Sequence, residues 1–409
     1  MNHARNLTRR STIFGAAGTI ASGLTRPLNL IPTQDTSPSP IVSPSPIASP
    51  VTIDFDRVPL WQTALDNRIV FGTSLATWQT TETDFLQLVN HEAAILFTED
   101  DLLWYKLRPT PSADLDFQYA DQFMATAKKQ NQLVFGAHLV WDEGFGDGWT
   151  QDDLWGLDKT TAHSLLFDTI DAAVARYRGK MAGWVVVNEI IDAHEADGIR
   201  RDYPWYETLG PSFIAESFYA AHDADSDALL VLNDFGFETD DEYNTAADKR
   251  KRAIIVLDQL LNDGVPVHAL GIQAHLGAAD FTSKFDAQAY SQFLSDVADR
   301  GLAILISEMD VLDDGLPADI VTRDMAIGAI YEQYLNVALA EPAVGSLMTF
   351  GLSDRFTWLQ EDYPREDGAT RRPLPFDEEL QPKPAYIALK TALQNAPSRG
   401  LIWRVPRGC

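Results

Sequence analysis

Eight short apolar runs recur along the 409-residue chain, at 69–74, 93–97, 133–140, 181–187, 229–233, 269–274, 303–307 and 346–351. They are continuous stretches of Val, Ile, Leu, Phe and Ala rather than alternating apolar and polar positions. That is the pattern of strands covered on both faces, as in a parallel sheet. Between them apolar residues return at helical spacing: Phe85, Leu86, Leu88 and Val89 before the second run, Leu166, Ile170 and Ala173 before the fourth, Ile254, Leu257 and Leu261 before the sixth. Strands alternating with helices imply a parallel sheet, and eight such units imply an α/β fold of one catalytic domain, a closed (β/α)8 TIM barrel. A doubly wound open sheet is the alternative; the count of eight and the chain length favour closure.

The barrel is expected over residues 53–396, with a C-terminal tail at 397–409. What precedes it has a different character. Thr8-Arg9-Arg10-Ser11-Thr12-Ile13-Phe14, followed by a Gly/Ala-rich apolar stretch, resembles a twin-arginine export signal, and residues 1–31 are read as that signal and its flank. The stretch is too short and too rich in small residues to span a bilayer. Residues 32–52 repeat Ser-Pro and form an extended linker without core-forming potential. Together they imply a secreted or periplasmic protein. The formal charge of −27, from 59 acidic and 32 basic residues, disfavours a nucleic-acid partner and docking on anionic membranes. Cys409 is the one cysteine, so neither an internal disulfide nor a cysteine zinc site can form.

In a closed parallel barrel the interior is solid side chain, and chemistry sits at the C-terminal strand ends. The fourth run ends Trp184-Val185-Val186-Val187-Asn188-Glu189 and the seventh Ile306-Ser307-Glu308-Met309-Asp310. Either glutamate alone could be the first polar residue of a loop. Two of them at two buried strand ends suggest glycoside hydrolysis, where one carboxyl must stay protonated and the other ionised. Other strand ends supply Glu99, Asp100 and Trp104, then Trp141, Asn233, Gln273, His275 and Trp358. Aromatic faces interleaved with carboxylates and amides suit a sugar ring, whose C–H face stacks while its hydroxyls take hydrogen bonds. Gly72-Thr73-Ser74-Leu75-Ala76 lacks the last glycine of a nucleophile elbow, and His91-Glu92 lacks the second histidine of a zinc motif. No metal or cofactor is implied.

Taken in order, these motifs resemble glycoside hydrolase family 10, the family of retaining endo-β-1,4-xylanases, over about residues 67–389. Trp184 to Glu189 resembles W-x-V-V-N-E, Ile306 to Asp310 resembles I-T-E-x-D, Gly271 to His275 resembles G-x-Q-x-H, and Asn233-Asp234-Phe235 resembles N-D-Y. The resemblance implies Glu189 as acid/base and Glu308 as nucleophile. It implies that Asn188 holds the sugar 2-OH, that His275 with Asp310 keeps Glu308 ionised, and that Trp358 floors the cleaved sugar's subsite. Glu99, Asp100, Trp104, Trp141, Asn233 and Gln273 would contact a polysaccharide or oligosaccharide. The departures lie on the glycone side: Leu103 stands for the family's lysine, Ala137 and Asp142 for two histidines, and Phe350 for a tryptophan. His138 is expected to face away, because neighbours on a strand point to opposite sides. Asp100 and Asp142 are expected to add negative charge that repels glucuronate side chains. The expectation is a secreted retaining β-glycanase with an altered glycone side; a barrel that binds polysaccharide without cleaving it is the alternative.

Overall fold

The computed structural model describes residues 53–408; the twin-arginine-like segment, the Ser-Pro linker and Cys409 lie outside the described residues. Nine strands follow in chain order: β1 (Val70–Leu75), β2 (Ile95–Thr98), β3 (Leu133–Gly136), β4 (Gly183–Asn188), β5 (Leu229–Asp234), β6 (Ala269–Ile272), β7 (His275–Gly277), β8 (Ala303–Leu312) and β9 (Val344–Thr349). All pair in parallel. β9 returns to β1, and β8 pairs directly with β6, so eight strands close into a (β/α)8 TIM barrel. The short β7 lies against the C-terminal half of β8.

Alternation along each strand sorts the apolar residues into two layers. Ile95, Phe97, Phe135, Val185, Val231, Leu305 and Met348 fill the interior, while Trp184, Val186, Ile304 and Ile306 face the surrounding helices. Gly136 is required where β3 meets β4: a Cβ there would lie 2.4 Å from the Trp184 ring. The covering helices start where a side chain satisfies their first amides. Asp158 accepts from the amides of Thr160 and Thr161, Thr245 from Asp248, Asp286 from Gln288 and Ala289, and Asp319 from Thr322. Among the described residues no helix is long and apolar enough to cross a membrane.

Three boundaries differ from expectation. β3 stops at Gly136 rather than 140, because the chain turns from β2 toward β4. The Thr98 hydroxyl accepts from the Ala137 amide (2.9 Å), and the Leu139 and Val140 amides donate to the carbonyls of Val185 (3.0 Å) and Val186 (2.9 Å). β8 runs on to Leu312 because β7 supplies it with a partner. The segment from 397, expected to be a tail, belongs to the folded body. Val405 is 4% exposed and packs with the interior residues. Trp403 donates to the Ala182 carbonyl (2.8 Å) and Arg407 to those of Asn90, Ala93 and Gln130. Ala93 and Ala182 lie just before β2 and β4, and Asn90 and Gln130 at the ends of the helices that lead into β2 and β3, so the segment plugs the N-terminal mouth of the barrel. Trp403→Ala should therefore destabilise the fold by about 3 kcal/mol, and ending the chain at 396 should lower the melting temperature further. Denaturant and thermal unfolding of the two variants check this; wild-type stability in both would show that the plug is passive.

Candidate active site

The site depends on backbone that departs from regular strand. On a plain strand Asn188 and Glu189 would face opposite sides. β4 instead carries an irregularity between Val185 and Val187, and Glu189 takes a left-handed backbone conformation with φ of 59°. The Glu189 amide donates to the Asn233 carbonyl (2.9 Å) and its carbonyl accepts from Arg200 Nη1 (2.9 Å), which hold that turn from both ends. Ala274, with φ of 60°, lies at the break between β6 and β7 and separates Gln273 from His275. β8 slips register against β9 between Ile306 and Met309, where Ser307 and Glu308 sit.

Glu308 is 4% exposed and Glu189 9%. Glu308 Oε1 accepts from Asn233 Nδ2 (2.7 Å), and Oε2 lies 3.5 Å from His275 Nε2. His275 Nδ1 meets Asp310 Oδ1 at 2.8 Å, and Asp310 Oδ2 accepts from Trp358 Nε1 (2.7 Å). Glu189 Oε1 accepts from Gln273 Nε2 (2.9 Å) and Asn188 Nδ2 (3.2 Å). Asn188 Oδ1 in turn accepts from Asn233 (2.8 Å) and Gln273 (3.3 Å). Three amides thus bridge the two carboxyls. The Ser307 hydroxyl donates to Asn233 Oδ1 (2.7 Å), which fixes the Asn233 Nδ2 toward Glu308.

The two carboxyls are pulled in opposite directions. Burial alone would raise Glu308, but the imidazoles of His138 and His275 outweigh it and hold the carboxyl at about 2. Burial would depress His275, yet Asp310 and Glu308 raise it to about 10, so it is an imidazolium at neutral pH. Glu189 is raised to about 8, first by burial and then by the neighbouring Glu143 and Asp142. An ionised carboxylate beside a protonated carboxylic acid is the division of labour that acid-assisted nucleophilic chemistry needs.

Around this centre the expected wall residues have distinct settings. Glu99 accepts from the Ser74 hydroxyl (2.8 Å) and is raised to about 7 by burial. Trp141 lies half-buried with its ring 5.1 Å from that of His138. Trp358 and Phe350 stand 5.3 and 5.6 Å from the His275 ring. Trp104 differs from expectation. It is 2% exposed and packs with Phe145, Trp149 and Trp205, so it supports the wall from behind rather than offering a face.

Two further expectations are corrected. His138 faces the site, with Nε2 3.8 Å from Glu308 Oε1. Strand alternation fails there because the strand has already ended at Gly136. The added carboxylates are not bare either. Asp142 pairs with Arg200, and Asp100 with Lys106 at 2.5 Å and with the Tyr105 hydroxyl, so neither faces a ligand as a bare charge. Arg200 was not legible in the sequence: nothing in Ile199-Arg200-Arg201-Asp202 distinguishes it from a surface arginine. Asp234 was within reach, directly after Asn233. It accepts from the Ile191 amide (2.8 Å) and pairs with Lys249 (2.8 Å), tying the loop after Glu189 to β5.

Comparison with known proteins agrees with this geometry. The model of Glycosyl hydrolase family 10 matches residues 60–392. The chain is 26% identical over 334 residues to endo-1,4-beta-xylanase B of Thermotoga neapolitana, covering 81% of this chain and 90% of that one. It is 28% identical over 331 residues to endo-1,4-beta-xylanase 5 of Pyricularia oryzae, covering 80% and 76%. The crystal structure of xylanase 10B from Thermotoga petrophila in complex with xylobiose is similar with a TM-score of 0.72 at 26% identity, covering 83% of this chain and 98% of that one. A match across most of the barrel places the chain in glycosyl hydrolase family 10, and it is a glycoside hydrolase.

Proposed function

We propose that the chain hydrolyses β-1,4-linked glycan of the xylan type with retention of configuration, using Glu308 as nucleophile and Glu189 as acid/base. The observation that supports this best is the pair of buried carboxyls, bridged by Asn188, Asn233 and Gln273 and driven to opposite protonation states. Glu308 attacks the anomeric carbon as the glycosidic C–O bond breaks, and Glu189 gives its proton to the leaving oxygen. Glu189, now ionised, takes a proton from water. The hydroxide formed attacks the same carbon and releases the Glu308 carboxylate. Glu308→Ala should abolish turnover of aryl β-xylosides. Glu189→Ala should slow general-acid-dependent substrates by about 10²–10⁴-fold, with azide giving the β-glycosyl azide. Near-wild-type turnover in Glu308→Ala would end the nucleophile assignment.

The pH profile follows from the same groups. kcat/KM requires Glu308 ionised and Glu189 protonated in the free enzyme. It should rise through about 2 and fall through about 8. Facing Glu189 are Asp142 and Glu143 from the loop after β3, Arg200 from the loop after β4, Asp234 paired with Lys249, and the Gln273 amide. Asp142→Asn removes a negative charge and should move the alkaline limb down by about 1 unit; Arg200→Met leaves Asp142 unneutralised and should move it up by about as much. Limbs that stay fixed in both variants would show that the pair does not act on Glu189.

On the glycone side the structure leaves Leu103 as the clearest lost donor. Ala137 is fully buried, so histidine there would overpack the interior. A charged donor to a bound hydroxyl contributes about 1.5–3 kcal/mol. We therefore expect plain xylo-oligosaccharides to be poor substrates, and Leu103→Lys to raise kcat/KM on them by about tenfold. No gain, with xylanase-like efficiency already in the wild type, would show that the departure is neutral.

We also propose export by the twin-arginine route, on the strength of Arg9-Arg10 and the apolar stretch behind them. Lysine at both positions should leave precursor in the cytoplasm; unchanged export would remove this reading.

A further inference from the structure

Glu308 has three nitrogen neighbours. Asn233 Nδ2 donates to Oε1 (2.7 Å), and the His275 imidazolium stands 3.5 Å from Oε2. The third is His138 in the loop after β3, whose Nε2 lies 3.8 Å from Oε1. That is longer than a hydrogen bond, so the attraction acts through space. His275 divides its charge between Glu308 and Asp310, which is 2.8 Å away. Among the described residues His138 pairs with no second carboxylate.

His138 is 6% exposed, and neither of its ring nitrogens has a hydrogen-bond partner within the protein. Unpaired nitrogens in so dry a place are unfavourable unless something else uses their polarity. A carboxylate facing Nε2 favours the tautomer with hydrogen on that atom. The ring stands edge-on to Phe97 at 5.8 Å and lies 5.1 Å from the Trp141 ring. It also borders a closed space of about 10 Å3 shared with Leu102, Trp104 and Thr169. The ring is therefore embedded in the wall, and what it addresses is the Glu308 carboxylate.

In the retaining reaction proposed above, Glu308 is a carboxylate at the start and at the end, and an ester between. In the first step one of its oxygens bonds to the anomeric carbon as the bond to the leaving oxygen breaks, and Glu189 gives that oxygen its proton. In the second, the oxygen of water bonds to the same carbon and Glu189 takes a proton from the water. The electron pair of the ester C–O bond returns to Glu308. A donor facing Oε1 stabilises the ionised carboxylate and does little for the neutral ester. It therefore opposes the attack and assists the release. We propose that His138 is a positioning residue for the second step: acting on Glu308 Oε1, it shortens the life of the glycosyl-enzyme. The proposal rests on the hydrolytic reading, but the action of His138 on Glu308 can be measured without substrate.

The test uses dinitrophenyl β-xyloside, whose leaving group needs no proton, so that the second step limits kcat. His138→Phe keeps an aromatic ring beside Phe97 and Trp141 and removes the nitrogens. Its kcat should fall about tenfold, with KM falling alongside, so that kcat/KM does not fall. His138→Gln keeps an N–H donor and should recover most of kcat. A kcat/KM that falls as far as kcat would mark a lost sugar contact and overturn the proposal. So would an unchanged kcat in His138→Phe, or a glutamine variant no better than phenylalanine. A second arm follows Glu308 directly, by carbon-13 NMR of protein carrying carboxyl-labelled glutamate. The charged groups facing Glu308 are His138, His275 with Asp310 behind it, and Glu189 across the bridging amides. Glu308 should titrate about 1 unit higher in His138→Phe than in the wild type; an unchanged titration also overturns the proposal. If the wild type turns over no aryl xyloside, the hydrolytic reading fails, and the titration still decides whether His138 acts on Glu308.

Discussion

A carboxylate kept ionised while almost wholly out of water is the constraint on which this site depends. Glu308 is 4% exposed, and an isolated buried charge is so unfavourable that the group would protonate instead. Asn233 donates to one oxygen, and His275 stands at the other as an imidazolium. That imidazolium is itself buried, and needs Asp310; Asp310 is buried too, and needs the Trp358 indole. The chain of compensations runs from the barrel centre to its rim. A loss at Trp358 would be felt at Glu308 through two intervening groups rather than by contact.

The second requirement is that groups adjacent in sequence face one cleft. A parallel barrel of regular strands cannot do this, because alternation sends every second side chain outward. The structure meets it at two strand ends by local departures: shifted register in β4 with left-handed backbone at Glu189, and shifted register in β8. Each departure is held by hydrogen bonds to a neighbouring strand or loop. Glu189 is bound through both its amide and its carbonyl. Non-glycine residues in this backbone region carry a conformational cost of about 1–3 kcal/mol, so these bonds and the closed barrel beneath them are what make the site geometry stable.

The same departures mark where sequence reasoning succeeds and where it stops. The barrel was legible because its strands are apolar on both faces and recur eight times. Glu189 and Glu308 were legible because each ends such a run. Strand periodicity placed His138 facing away, since it assumes a strand that ends two residues earlier. Trp104 reads as a sugar platform in one dimension, but Phe145, Trp149 and Trp205, from distant positions, enclose it. The closing segment from Arg399 to Arg407 has too few apolar residues for any period. Its role comes from Val405 and Trp403 meeting the open end of a barrel that only the fold creates.

The carboxylates around the two glutamates show why charge must be read in pairs. Asp142 lies close enough to Glu189 to raise its affinity for a proton. In the proposed reaction a bare carboxylate there would favour the first step, in which Glu189 must hold a proton, and oppose the second, in which it must have lost one to accept another from water. Arg200 bonds to Asp142 and to the Glu189 carbonyl together. One cation therefore fixes the position of Glu189 and also pairs with the carboxylate beside it. Asp100 follows the same logic with Lys106, which it shares with Asp101. Asp142 and Asp100 each meet a cation that also braces the backbone or an aromatic ring.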